Sequence, residues 1–148
     1  MLSQTAEHAL RALLYLAQRG GMPVAAEVVA AAIDAPPNYL SKTLHVLSKQ
    51  GIVAGTRGPR GGYRLARERR RVSVGDVVRV VRGIEEMPAQ EDLASSSRLG
   101  RKVIGPFWAA TEHELMARLD RVSIEDLCRR AEEQGVVSET QRAVDYAM

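Results

Sequence analysis

The side chains with most chemical capacity in this 148-residue chain are cations gathered at one turn. Arg57-Gly58-Pro59-Arg60-Gly61-Gly62-Tyr63-Arg64-Leu65-Ala66 places two guanidinium groups within a reversal made of glycine and proline, and Arg67, Arg69, Arg70 and Arg71 follow closely. A guanidinium is permanently charged and forks onto phosphate oxygens, so the chemistry it offers is recognition rather than bond making. Glycine accepts positive φ and proline fixes its own, which makes a tight reversal between the apolar runs Ile52-Val53-Ala54 and Tyr63-Arg64-Leu65. A second polar set, Asn38, Ser41, Lys42, His45 and Lys49, recurs at helical spacing just upstream, with Tyr39 among it.

Other reactive residues carry less. Glu112-His113-Glu114 lacks the second histidine, four residues on, that a zinc-binding helix needs, and is read as a solvated helix face. Cys128 is the only cysteine, which excludes an internal disulfide or a multi-thiolate metal site within one chain; it is read as a small buried hydrophobe. No Ser-His-Asp order, P-loop or paired-carboxylate pattern stands out, so neither an enzyme nor a metal centre is expected. Charge is uneven: residues 1–75 hold 11 basic and 4 acidic side chains, and residues 76–148 hold 10 and 14. A balance of +7 in front and −4 behind points to a polyanion partner for the front half alone. The start Met1-Leu2-Ser3-Gln4 lacks signal-peptide character, and no apolar run reaches the roughly 18 residues of a membrane span, so a cytoplasmic protein without membrane contact is expected.

The elements that must position these residues are mostly helical. Apolar residues at Ala6, Leu10, Leu13, Leu14 and Ala17 predict a helix over residues 5–19, stopped by Gly20-Gly21. Met22-Pro23-Val24 reads as an extended link. An alanine-rich helix follows over residues 25–33, with Val28, Val29 and Ile33 turned inward, and Pro36-Pro37 ends it. Residues 38–50 form a third helix that buries Leu40, Leu44 and Leu47 and leaves the polar set outside. Two helices joined by a tight proline turn, followed by an arginine-tipped hairpin, give the order of a winged helix-turn-helix. Ser73 and Asp76 form a capping box opening a helix that ends at Gly83. Residues 84–100 show no period. A helical stretch to Leu119, starting near Pro106 or slightly earlier, carries Trp108, Thr111, Leu115 and Leu119 on one stripe beside Phe107 and Met116. A second capping box, Ser123 to Asp126, opens a helix through Glu133, and one more short helix could follow Val136. The segments from Arg71 to Val77 and from Arg121 to Leu127 look alike, which is read as repeated capping chemistry.

Taken together, Ala9-Leu10-Arg11-Ala12-Leu13, Tyr39-Leu40 through Leu47, Gly51-Ile52-Val53, the hairpin from Arg57 to Ala66, Val72-Ser73-Val74-Gly75-Asp76-Val77-Val78, and Trp108, Leu119 and Val122 through Leu127 resemble the Rrf2 family of bacterial transcriptional regulators over nearly the whole chain. The resemblance implies a mainly α fold with a small β-hairpin, a winged helix-turn-helix followed by a long dimerisation helix. Its implied organisation is a DNA-binding domain over residues 1–83, a loop over 84–105, a dimerisation helix and its follow-on over 106–134, and a tail over 135–148. Many members hold an iron–sulfur cluster through three cysteines in that loop, and in some an acidic side chain on the first helix, here Glu7 with His8 beside it, completes the set. This loop has no cysteine. Thiolates are what such a cluster requires, so the resemblance is to a cluster-free branch without cofactor.

The reading is a homodimeric regulator, in sense a repressor, of double-stranded operator DNA with inverted-repeat half-sites. Asn38, Tyr39, Ser41, Lys42, Arg57, Pro59, Arg60, Gly61, Gly62 and Tyr63 are the expected DNA contacts, and Phe107, Trp108, Thr111, Leu115 and Leu119 the expected dimer contacts. Two alternatives stay open at this point. One is a regulatory module whose DNA binding depends on a metabolic enzyme or other effector docked at the 84–105 loop. The other is a redox sensor using Cys128 or unusual cluster ligands.

Overall fold

A computed structural model of the chain describes residues 2–85 and 97–136. Helix α1 runs Gln4–Gln18, with the Ser3 hydroxyl accepting from the Ala6 N–H at 3.1 Å at its start. Gly20 and Gly21 take φ of 63° and 86° beyond its end, the left-handed geometry that a side chain would oppose. Helix α2 is Ala26–Ile33 and α3 is Pro37–Lys49. Between them Asp34 sits at φ 57°, and the Ile33 carbonyl accepts a 2.5 Å hydrogen bond from Arg11 Nη1 on α1, so α1 grips the turn of the helix-turn-helix. Glu7, one turn earlier, holds the other end of Arg11 at 2.7 Å. Pro37 starts α3 from its first position, where a missing N–H costs nothing.

The hairpin follows at once. Strands β1 (Val53–Thr56) and β2 (Gly62–Leu65) pair antiparallel, with Val53 opposite Leu65 and Thr56 opposite Gly62. The link at Val24 is a third edge: Val24 and Tyr63 exchange both backbone hydrogen bonds, at 2.9 and 2.8 Å. A short 3₁₀ turn, Arg69–Arg71, leads to α4, Val74–Ile84. The capping box expected at Ser73 and Asp76 is present in both directions, each bond 3.0 Å long. The one expected at Ser123 and Asp126 is present as well, and opens the last described helix, α6, Ile124–Glu133.

Helical backbone begins again at Arg98, eight residues before Pro106. It passes through a π turn, Gly100–Ile104, into α5, Gly105–Asp120. Residues 98–105, expected in a loop, are therefore helical, and the reason is local. Pro106 offers no N–H, and in an α-helix its ring collides with the carbonyl four residues back. The wider π turn, in which the Gly105 N–H reaches the Gly100 carbonyl, lets the rod continue through the proline. The aperiodic stretch from residue 84 and the tail helix after Val136 fall largely outside the described residues. Among those residues no helix is long and apolar enough to cross a membrane.

The core is one cluster. It is built on Leu13 and Leu16 of α1, Val29 of α2, Leu40, Leu44 and Leu47 of α3, Ile52 and Val53, Val72, Val77 and Val81, and Ile124 and Cys128. Val28 departs from expectation at 52% exposed, while Val29, Ala30 and Ile33 face inward. Along Ala26–Ile33 only Glu27 is polar, so the pattern gave almost nothing to mark the outer face. On α1 the buried stripe centres on Ala9, Ala12, Leu13 and Leu16, leaving Leu10 and Leu14 at its margins. Removing a core leucine leaves a cavity whose lining cannot fully collapse. Leu44→Ala should therefore cost about 2–5 kcal/mol of stability, whereas Val28→Ala should change it by about 0.5 kcal/mol or less. Chemical denaturation of both variants checks the contrast.

Candidate nucleic-acid interface

Helix α3 buries Leu40, Leu44 and Leu47 completely, at 0% exposure. The 3.6-residue period then obliges Asn38, Ser41, Lys42, His45 and Lys49 to stand on the exposed side, as they do. No side chain caps the start of α3 and no acidic residue lies in its first turn, so the positive end of the helix dipole is left without a carboxylate. Thr43 is the one polar side chain buried on this helix, and its hydroxyl donates to the Tyr39 carbonyl at 3.2 Å. Tyr39 itself packs edge-on against His8 of α1, with centroids 5.9 Å apart and planes at 79°. Burial raises its phenol pKa, with a smaller push from the Glu85 charge. Tyr39 therefore joins α1 to the first turn of α3 and remains half-exposed on that surface.

The hairpin tip, Arg57 through Arg60, is exposed, and Gly58 takes φ 109° there. Gly61 and Gly62 serve the protein's own geometry. A Cβ on Gly61 would lie 2.2 Å from the Thr56 carbonyl oxygen, and one on Gly62 would lie 2.3 Å from the Val24 carbonyl carbon. Tyr63 is half-buried and fastened to Val24 by its backbone. Of the hairpin residues expected to meet DNA, Arg57, Pro59 and Arg60 thus project outward, while Gly61, Gly62 and Tyr63 hold the hairpin against the Val24 link. The hairpin is also tied to the end of α3. The Ile52 N–H donates to the Leu47 carbonyl at 3.0 Å, and Arg67 Nη2 donates to the Gln50 carbonyl at 3.3 Å.

The arginine run behind the hairpin divides by partner. Arg67 covers the C-terminal end of α3. Arg69 forms an ion pair with Glu125 of α6, and Arg70 pairs with Glu68 at 2.7 Å. The hydrogen bond and charge of Arg70 pull the Glu68 carboxyl below its usual range. Lys42, Lys49, Arg57, Arg60 and Arg71 have no ion pair among the described residues. Of these, Lys42 and Lys49 stand on the outer face of α3 and Arg57 and Arg60 at the hairpin tip, while Arg71 stands on the 3₁₀ turn. No local pattern could have marked Arg69 as paired, because Glu125 lies far along the chain.

The residues present do not fit an iron–sulfur cluster. Such a cluster draws on several thiolates, whereas this chain has one cysteine and Cys128 is 2% exposed within the core. Glu7 is engaged by Arg11. Among the described residues no cluster of three or more His, Cys, Asp or Glu side chains could hold a metal ion.

The family model described as Rrf2, iron-dependent transcriptional regulator, matches residues 2–130. The chain belongs to the Rrf2 family. Protein rrf2 of Nitratidesulfovibrio vulgaris is 30% identical over 88% of each chain. A putative HTH-type transcriptional regulator of Aquifex aeolicus is 38% identical over 53% of this chain and 54% of its own length, a match about half as long as that protein. Among solved structures, T. potens IscR superposes with a TM-score of 0.72 at 28% identity, covering 93% of both chains. CymR of B. subtilis shares the fold at a TM-score of 0.66 and 24% identity, over 88% of this chain and 97% of its own. The winged helix-turn-helix expected from the sequence is thus the observed fold. The protein is an Rrf2-type transcriptional regulator with a DNA-binding architecture, and its relatives are regulators rather than enzymes.

As an Rrf2 protein with its single thiol in the core, the chain has a particular reactivity. Burial pushes the Cys128 thiol pKa up, only partly offset by the Arg69 charge, which disfavours the reactive thiolate. Alkylation of Cys128 by iodoacetamide at pH 8 should be slower in the native protein than in urea by about tenfold or more. Mass spectrometry over a time course measures both rates.

Proposed function

We propose that the protein is a homodimeric repressor in the cytoplasm that binds inverted-repeat operator DNA without a cluster. The carrying observation is the sorting of cations. Lys42, Lys49, Arg57 and Arg60, which have no ion pair among the described residues, lie on the outer face of α3 and the hairpin tip, two elements locked together through Ile52 and Arg67. In this reading α3 enters the major groove, with Asn38, Ser41 and Lys42 at its leading turn and Tyr39 beside them. Arg57 and Arg60 reach the neighbouring minor groove or its phosphates, with Pro59 between them. Gly61, Gly62 and Tyr63 hold the hairpin at the angle this requires. Residues 1–83 read DNA, and the span from about 98 to 134 pairs two subunits.

Support for pairing comes from α5. Phe107 is 63% exposed, Trp108 55% and Leu115 45%, with Thr111 exposed between them and Leu119 half-buried at the end of the stripe. Leu99, Val103 and Ile104 extend this surface upstream. Large apolar side chains aligned on one exposed helix face need a cover. A second copy crossing on a two-fold axis supplies the same stripe in return and yields an inverted-repeat operator.

Lys42→Ala and Arg60→Ala should each weaken binding to an operator selected from random duplexes. If Arg60 contacts a phosphate, its removal should reduce the log–log salt slope by about 0.9. Fluorescence titrations at several salt concentrations test both, and unchanged affinity in the two variants would sink this placement of the interface. For the dimer, Phe107→Glu should convert the protein to a monomer in sedimentation velocity while leaving its helical circular dichroism in place. Persistence of a dimer would count against α5 as the pairing surface.

A further inference from the structure

Past a half-buried Gly105, every residue of α5 from Pro106 to Thr111 is exposed, and partial burial returns at Glu112, Met116, Ala117 and Leu119. α5 is therefore a lever rooted at its C-terminal end. The root is built with unusual economy around Asp120. Arg79 of α4 grips that carboxylate with two parallel hydrogen bonds, Nη1 to Oδ1 and Nη2 to Oδ2, both 2.7 Å long. Asp120 comes this close to α4 because residue 75 has no side chain: a Cβ on Gly75 would lie 1.9 Å from Asp120 Oδ1 and 3.1 Å from its backbone nitrogen. Directly beyond, the chain is pinned again. The Val74 N–H donates to the Val122 carbonyl at 2.8 Å and the Ile124 N–H to the Val72 carbonyl at 2.9 Å, with Ser73 opposite Ser123.

The backbone bridge fixes where α5 ends, whereas the Arg79 fork fixes its angle, since a bidentate guanidinium–carboxylate pair is planar and directional. A 16-residue helix is about 24 Å long, so a rotation of about 10° at the root moves the far end by about 4 Å, more than one base-pair step of about 3.4 Å. Resting on the dimeric reading above, we propose that the Gly75–Arg79–Asp120 joint determines which half-site spacing the dimer accepts. Its three residues are positioning residues: none belongs to the DNA-contacting set or to the apolar stripe of α5. Their effect is on the relation between two DNA-reading units, not on either unit's grip.

The test uses the full-length protein and the operator it selects from random duplexes. Affinities are measured for duplexes whose half-sites lie at the selected separation and one or two base pairs nearer or farther, and for a single half-site. The wild type should discriminate against altered spacing by about tenfold or more. Arg79→Ala and Asp120→Ala should compress that range to about threefold while single-half-site affinity stays the same. Gly75→Ala, which forces Asp120 away with its partner still present, should do likewise. The charge-exchanged double variant, Arg79→Asp with Asp120→Arg, should recover at least part of the discrimination, which a general loss of stability would not. A dimeric wild type with strong spacing preference retained in Arg79→Ala, Asp120→Ala and Gly75→Ala overturns the joint and leaves the dimeric reading standing. A wild type that is monomeric, or binds one half-site as tightly as two, overturns both.

Discussion

Burial of the α3 leucine stripe is the constraint from which the remaining geometry follows. Leu40, Leu44 and Leu47 are fully enclosed, and each is worth roughly 1.5–3 kcal/mol of apolar transfer. With three positions fixed inward, the rotation of the helix about its axis has no freedom left, and Asn38, Ser41, Lys42 and Lys49 have no place but outside. The same burial sets the hairpin. Ile52 and Val53, immediately after the helix, are also enclosed, so β1 must leave the core at a defined point and direction. The polar outer face of α3 is thus oriented by the apolar residues of its inner face.

Much of this was legible because it is local. The stripe of α3, both capping boxes and the glycine-rich reversal are patterns within a few turns or one hairpin, and the structure repeats them, whereas the α1 stripe is rotated toward Ala9, Ala12 and Leu16. What was not legible depended on distant neighbours or on absent contrast. Val28 was misplaced because α2 is apolar nearly all round, and only packing against α1 and α3 selects a face. The helix start was placed near Pro106 or slightly earlier, whereas a π turn absorbs the proline and the helical backbone reaches back to Arg98. The alignment of Trp108, Thr111, Leu115 and Leu119, with Phe107 beside it, was readable as a stripe, but one chain leaves most of it uncovered. The glycines at 61 and 62 were legible as a turn, whereas their closeness to Thr56 and Val24 required the folded backbone.

The charge of the front half illustrates a more general gap between counting and placement. Seven arginines lie between Arg57 and Arg71, yet Arg67 is spent on the end of α3, and Arg69 and Arg70 have carboxylate partners. Exposed pairs of this kind add little to stability, but they orient the side chains and lower the charge offered to a polyanion. The charge this run leaves without a carboxylate or carbonyl partner is consequently smaller than the composition implies, and Arg57 and Arg60 hold part of it at the hairpin tip.

The likeness between the segment starting at Arg71 and the one starting at Arg121 has a structural meaning that neither segment shows alone. Each begins extended, turns at a serine cap closed by an aspartate three residues on, and proceeds as a helix. The two starts lie antiparallel and exchange backbone hydrogen bonds, so one extended stretch supplies the partner the other requires. Asp126 is held below its usual pKa range chiefly by the Ser123 backbone and hydroxyl, as suits an aspartate committed to its cap. Where the segments differ, the neighbours differ. Position 75 is glycine because Asp120 lies against it, whereas the equivalent Glu125 has room to reach Arg69. Shared capping chemistry explains the resemblance, and the asymmetry of the α5 root explains its interruption.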